Sequence, residues 1–372
     1  MPIKRKKVIV GMSGGLDSTM TAALLKKEGY EVEGIFLEFW KNKNSEEGYE
    51  SARKMAEILG IQLHKVNAEE DFKKKIIDEF IREYESGRTP NPCVICNPRM
   101  KFKVLMDEMR KINADFMATG HYARLRRETP NTKYQILNKA KYSKSKSTIH
   151  LMKAEDKTKD QSYFLYGLNQ KQLEKIIFPL GDYLKSRVRE IAREMNLPVA
   201  DREESQDVCF VSQDNFGNFL KKYIKNIPGK ICDMSGKELG KHEGLHFYTI
   251  GQRKGINLGG EGPYYVIKKN ISKNMLIVSN KEDLLVDEFK VNEVNWISTD
   301  IEFSLKAEIK VRYHSNPVCG TIMEVKSSKF KVKSAGKNYR IKLDEPQEAI
   351  TPGQSAVFYR GDEVLGGGII TG

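Results

Sequence analysis

The run KKVIVGM (6–12) breaks into Ser13-Gly14-Gly15-Leu16-Asp17-Ser18, and TMTAALLKKEGY follows with its apolar residues at helical spacing. A β-branched run stopped by a glycine-rich turn and followed by a 3.6-residue period is a strand, a tight loop and a helix. This loop constrains the chain more than any other feature. Its glycines let backbone N–H groups approach an anion closely, and the following helix adds the positive end of its dipole. Phosphate binding is therefore expected across Gly11, Met12, Ser13, Gly14, Gly15, Leu16, Asp17 and Ser18. The loop is not a Walker A sequence, because G-x-x-x-x-G-K-[ST] cannot be laid over it and no lysine occupies the phosphate position; nor is it G-x-G-x-x-G. The plain alternative is a strand–helix turn with a serine cap.

The alternation continues. YEVEGIFLEF reads as a strand, SEEGYESARKMAEILG as an amphipathic helix closing on Gly60, IQLHKVNA as a strand and EEDFKKKIIDEFIREYESG as a long helix. KFKVLMDEMRKINA is a further helix, and DFMATGHYAR a buried strand whose end carries Gly120 and His121. Strands alternating with helices predict an α/β fold with a doubly wound parallel sheet, with ligands gathered where the strands end. Helical spacing returns in QSYFLYGLNQKQLEKIIF and in DYLKSRVREIAREMNL, the latter closed by Pro198. Arg187 and Arg189 suit phosphate, or simply the charged outer face of that helix. From about residue 213 a glycine-rich segment of short strands reads as a small linking domain. Beyond about 282, period-two runs such as FSLKAEIKVRYH and NYRIKLD predict an all-β barrel. The expected domains are 1–212, 213–281 and 282–372, and 372 residues suit that division at roughly 150 residues per domain. No stretch nears the roughly 18 uninterrupted apolar residues of a membrane span, and MPIKRKKVIV leads into a strand instead of a signal-peptide core. A cytoplasmic monomer with no membrane partner is expected.

The 63 basic and 50 acidic side chains leave a net charge of +13, a general hint of a polyanionic partner. The charge has a location: residues 124–160 hold eleven lysines and arginines against four carboxylates. That stretch is suited to phosphate contact, or to a solvated hairpin with polar faces. Five cysteines at low density, two of them in C-x-x-C, point in a reducing compartment to metal or redox chemistry more than to cross-links. Cys93 and Cys96 stand in the proline-rich loop TPNPCVICN and Cys209 in ESQDVCF, whereas Cys232 and Cys319 match no motif.

Together with TGHYAR (119–124), KDQSYFL (159–165) and HFYTIGQRKG (246–255), these motifs in this order resemble the tRNA-specific 2-thiouridylases of the MnmA type, within the ATP pyrophosphatases that carry an S-G-G-x-D-S loop. The resemblance covers nearly the full length. It implies ATP-dependent 2-thiolation of the wobble uridine of tRNA, an RNA-binding transferase activity. A uridine C2 carbonyl is a poor electrophile with a poor leaving oxygen, so activation must precede attack by sulfur. Adenylation of the C2 oxygen supplies the activation, with ATP and Mg²⁺ at residues 11–18 and Leu37 and Gly120 lining the nucleotide pocket. By the same resemblance Cys209 carries a persulfide, supplied by a persulfide carrier protein, and Cys96 attacks it, leaving a Cys96–Cys209 disulfide; sulfide is the donor suited to a cluster route. Asn91, Pro92 and Cys93 would border the target base, His121 would lie beside it, and Lys159, Asp160, Gln161, Arg312, Tyr313 and Gln354 would contact tRNA. Histidine satisfied at a strand end, and Val311 and Tyr313 as ordinary strand neighbours, are the bland counterparts.

Cys93 departs from the family, whose members commonly read N-P-D-x-x-C-N. Three chemistries stay open: a tolerated substitution with the persulfide route intact, a [4Fe-4S] cluster on Cys93, Cys96 and Cys209, or zinc on the same trio. An inert C-x-x-C is the fourth. A loop-bearing amidating ligase or synthetase acting on a small molecule explains Ser13–Ser18 but not the cysteines, the basic stretch or the β domain. A non-catalytic RNA-binding protein does not explain the intact loop.

Overall fold

Among the described residues, seven strands come first: β1 (Lys7–Gly11), β2 (Glu31–Glu38), β3 (Gln62–Asn67), β4 (Phe116–Ala118), β5 (Arg124–Arg127), β6 (Ile149–Met152) and β7 (Ile176–Ile177). The computed structural model describes residues 5–128, 148–203, 208–211, 215–259, 262–299, 301–302, 304–325 and 337–371. Five of these strands form a parallel sheet in the order β3-β2-β1-β4-β7. Strand β1 shows why it is wound on both faces. Val8 and Val10 point into a core with helix α1 (Leu16–Lys27), helix α2 (Lys43–Leu59) and Val188 and Ala192 of the helix Lys185–Glu194. Ile9, one residue out of phase, packs on the other face with Phe102, Leu105 and Met109 of the helix Phe102–Lys111. The α2 ends are written in the sequence: Asn42 caps its start, and Gly60 takes the left-handed conformation (φ 58°) that closes it.

The linking segment forms a four-stranded sheet from β8 (Gly229–Cys232), β9 (Glu238–His242), β10 (Tyr265–Asn270) and β11 (Met275–Ser279), in the order β10-β11-β8-β9. The barrel uses β12 (Leu285–Trp296), β13 (Leu305–Lys310), β14 (Val318–Glu324), β15 (Tyr339–Glu348), β16 (Ser355–Arg360) and β17 (Glu363–Ile370). Their antiparallel order β12-β15-β14-β13-β16-β17 closes because β17 pairs back onto β12. Closure removes the exposed strand edges of an open sheet.

Two results differ from the sequence reading. The basic hairpin β5–β6 belongs to the barrel's sheet: Leu151 and Met152 pair with Val364 and Glu363 of β17. Of the basic stretch, Lys133, Lys139, Lys141, Lys144 and Lys146 lie outside the described residues. Second, QSYFLYGLNQKQLEKIIF is not a helix but a 3₁₀ turn (Ser162–Phe164), a four-residue helix (Gln170–Leu173) and β7. Its apolar residues lie between the parallel sheet and the barrel, where Tyr163 donates to the Ser355 carbonyl at 2.9 Å and Tyr166 meets the Ser355 hydroxyl at 3.0 Å. Burial on both sides produces a dense apolar pattern without helical periodicity in space.

Candidate active site

The phosphate loop lies between the end of β1 and the start of α1. Gly14 has φ 80°, and a Cβ there would stand 2.2 Å from the Gly48 carbonyl oxygen, so only glycine fits. Gly15 caps α1 without a side-chain bond, which leaves the first-turn N–H groups unspent on a cap. The Ser18 hydroxyl donates to Gly15 O at 3.1 Å and accepts the Ser13 N–H at 3.1 Å, drawing the loop tight. Ser51 and Arg202 donate to the Gly14 carbonyl at 2.8 and 2.9 Å, and both line a groove of about 830 Å³ between α2 and residues 198–202. Gly120, at the end of β4, presses on the loop from the neighbouring strand; a Cβ there would meet the Asp17 carbonyl carbon at 2.7 Å and the Ser18 nitrogen at 2.9 Å. Leu37, half-buried near the end of β2, stands at the same edge of the sheet.

Two partners of the loop escaped the sequence reading. The Lys185 ammonium contacts both Asp17 carboxylate oxygens, at 2.7 and 2.8 Å, and the Tyr122 hydroxyl donates to one of them at 3.0 Å. Lysine in the first turn of a helix opposes the dipole, and that local irregularity is the signal the sequence offers. Arg187 and Arg189, the residues the sequence suggested, are engaged elsewhere: Arg187 with Glu190 and Glu194, Arg189 with the carbonyls of Ala200 and Arg202.

Cys93 and Cys96 lie on a short helix, Pro92–Cys96, and not in an open loop. Asn91 accepts the Cys93 N–H at 3.2 Å as its cap and Pro92 occupies the first turn, which is how a proline-rich segment starts a helix. A spacing of three residues puts both cysteines on one face. Cys209 comes from a turn closed by the Val208–Val211 bridge and anchored by Phe210, whose ring sits 5.8 Å from Phe72 and 5.3 Å from Phe80. Cys96 packs on the same aromatic cluster. The cluster thus brings the distant cysteines close enough for each to act on the charge of the next, at a site termed the cysteine hollow. Cys93 and Cys209 reach solvent, yet protein crowds their thiols on most sides. Burial pushes the Cys96 thiol up to about 11, the Lys101 ammonium opposing and Cys93 adding to the rise. Burial and then the charges of Cys96 and Cys93 push the Cys209 thiol up to about 12. Metal and cluster ligation fit less well: among the described residues no group of three or more His, Cys, Asp or Glu side chains is placed to hold a metal ion.

The other candidates occupy varied settings. His121 is buried, its Nδ1 2.7 Å from the Thr119 hydroxyl and its ring stacked on Phe102 at 5.7 Å. Burial and then Lys101 hold its pKa well below the ordinary histidine value, so the ring is neutral. Asp160 is buried and accepts the N–H groups of Ala154 and Ser162, while Gln161 accepts the Tyr122 N–H at 3.0 Å; Lys159 is half-buried beside them. Arg312 donates to the carbonyls of Glu348 and Ala349, Tyr313 packs its ring 4.5 Å from Phe164, and Gln354 donates to Thr89.

A parallel α/β sheet with an S-G-G-x-D-S loop at its strand ends, followed by a linking sheet and a closed barrel, is the architecture of a loop-type ATP-utilising enzyme with two added β domains. Three family models cover the chain: tRNA methyl transferase HUP domain (6–213), tRNA methyl transferase PRC-barrel domain (217–280) and aminomethyltransferase beta-barrel domain (286–370). It is 40% identical to the tRNA-specific 2-thiouridylase MnmA of Geobacter metallireducens, over 98% of this chain and 97% of that one. It is 41% identical to the protein of that name from Clostridioides difficile, over 98% of both chains, and 39% identical to that of Herminiimonas arsenicoxydans, over 99% and 98%. The chain belongs to the tRNA-specific 2-thiouridylase family.

Proposed function

We infer that this enzyme is a tRNA-uridine 2-sulfurtransferase: it spends ATP to adenylate the C2 oxygen of the wobble uridine, then replaces that oxygen with sulfur, releasing AMP and pyrophosphate. The observation that carries the reading is the likeness to 2-thiouridylases across 98% of the chain. A ligase acting on a small molecule would leave the barrel and the cysteine hollow without a task.

Residues 11–18, with Leu37 and Gly120, are the proposed ATP site. Asp17 is the carboxylate suited to Mg²⁺, which takes oxygen donors and few protein ligands when phosphates supply the rest, and which neutralises phosphate charge when bound. The hollow of Cys93, Cys96 and Cys209 is the proposed sulfur site, with Asn91–Cys93 beside the base. Among the described residues no group of three metal-ligating side chains is placed there, and the route proposed runs through sulfur alone. A persulfide carrier protein loads Cys209 as Cys–S–SH: the Cys209 thiolate takes the carrier's outer sulfur and the carrier's own cysteine leaves as thiolate. The Cys96 thiolate attacks the Cys209 sulfur, forming a Cys96–Cys209 disulfide and releasing HS⁻. That sulfide adds at C2, and AMP departs with the electron pair of the C2–O bond. A cellular dithiol then reduces the disulfide. Residues 1–212 would perform the chemistry, 213–281 link, and 282–372 grip tRNA with Arg312, Tyr313 and Gln354, while Lys159–Gln161 and His121 serve the first domain's share of the contact. Among the described residues no helix is long and apolar enough to cross a membrane; the use of tRNA and ATP supports a place in the cytoplasm, and a monomer is the proposed state.

The test is mass spectrometry of tRNA nucleosides after incubation with ATP and a sulfur donor, comparing the parent with Cys93→Asp. ATP-dependent 2-thiouridine is expected from both if sulfur passes through Cys96 and Cys209. Its absence from the parent overturns the reading. Loss in Cys93→Asp alone overturns the thiol route and returns a role to the third cysteine.

A further inference from the structure

The loop Ser13–Ser18 contains no lysine, yet the adenylation proposed above leaves pyrophosphate, whose negative charge grows as the bond to the α-phosphorus breaks. Such a step needs a cation placed in advance. The Lys185 ammonium is at the loop, 2.7 Å from Asp17 Oδ1 and 2.8 Å from Oδ2, although it arrives from a helix at the far end of the first domain. Lys185 is 7% exposed. Its backbone N–H is fixed by Asp156 Oδ2 at 3.0 Å, and its ammonium lies 5.5 Å from the centre of the Tyr122 ring, whose hydroxyl holds the same Asp17. The Asp17 side chain is part-exposed, and an ion pair that buries its lysine adds little stability over apolar residues of similar size. Placing one against a phosphate loop is therefore better explained by what the loop binds.

We propose that Lys185 is the pyrophosphate-binding cation of this site, held ready on Asp17 and transferred to the phosphate oxygens when ATP arrives. The proposal rests on the adenylating reading. In the step it serves, the uridine C2 oxygen forms a bond to the α-phosphorus, the bond from that phosphorus to the bridging oxygen breaks, and pyrophosphate leaves with the electron pair. The uracil N3 proton passes to water. Lys185 keeps its own protons throughout and neutralises the departing group.

The experiment is calorimetric binding of inorganic pyrophosphate and of AMP, each with Mg²⁺, to the full chain and to Lys185→Met and Lys185→Arg, with thermal melts to confirm folding. Lys185→Met is expected to weaken pyrophosphate at least tenfold and AMP less than twofold, and Lys185→Arg to restore most of the loss. Unchanged pyrophosphate affinity in Lys185→Met overturns the proposal. An equal fall for pyrophosphate and AMP overturns it too, since that marks a collapsed loop. Should Lys185→Met not fold, Lys185→Gln carries the same measurement. A parent protein that makes no ATP-dependent 2-thiouridine would instead refute the adenylating reading, so the two failures are distinct.

Discussion

The Gln354 side-chain amide donates to the Thr89 carbonyl at 2.7 Å, and the Thr89 N–H donates to the Pro352 carbonyl at 2.9 Å. Thr89 also meets the linking domain, its hydroxyl 3.3 Å from that of Thr249. All three parts of the chain therefore converge on a residue just ahead of Asn91 and the Cys93–Cys96 helix. Removing the amide in Gln354→Ala takes away one partly buried hydrogen bond, worth about 1 kcal/mol. A Tm lower by about 1–3 °C is expected for a protein of this size. An unchanged melting curve would show that the barrel is held to this segment by other means.

Gly120 presses on the phosphate loop where no side chain has room, against backbone atoms at 2.7 and 2.9 Å. Gly120→Ala must push Asp17 and Ser18 aside, at a cost of about 1–3 kcal/mol. If that strain falls on the nucleotide site, ATP affinity drops by roughly tenfold or more. Titration calorimetry with a non-hydrolysable ATP analogue reads this directly, and parent-like affinity would place the nucleotide elsewhere.

Cys209→Ser and Cys96→Ser are each expected to abolish 2-thiouridine while tRNA-stimulated AMP formation persists. The proposed adenylation site is the loop at the end of β1, whereas Cys96 packs on the aromatic cluster of Phe72, Phe80 and Phe210. Counting AMP and thiolated nucleoside in the same reaction separates the two steps. Retained thiolation in either variant would remove that cysteine from the sulfur path.

Burial holds the Cys96 and Cys209 thiols at about 11 and about 12, so both are protonated near neutrality. The reactive species is the thiolate. Alkylation by iodoacetamide at these residues should rise about tenfold per pH unit from pH 7 to 10, whereas a free thiol, with its pKa of roughly 8.5, levels off above about pH 9. Peptide mass spectrometry of briefly treated, folded protein gives both rates. A plateau by pH 9 would mean that water solvates these thiols as it does an exposed cysteine.

What the sequence determined by itself is local. Periodicity gave the alternating elements of the parallel sheet, because the side-chain repeat of a strand or helix is carried by consecutive residues; Gly60 marked the end of α2 for the same reason, whereas the start read at Ser45 lies two residues inside the helix that Asn42 caps. The loop at Ser13–Ser18 was legible because its glycines and its helix are contiguous. Tertiary structure decided the rest. Residues 161–178, apolar because they lie between two domains, imitate a helix in sequence and are not one. The ion pair of Lys185 with Asp17, the meeting of Cys209 with Cys96, and the junction at Thr89 join residues far apart in the chain. Sheet order and side-chain packing set those distances, and neither leaves a repeat or spacing in the sequence from which such a pairing could be read.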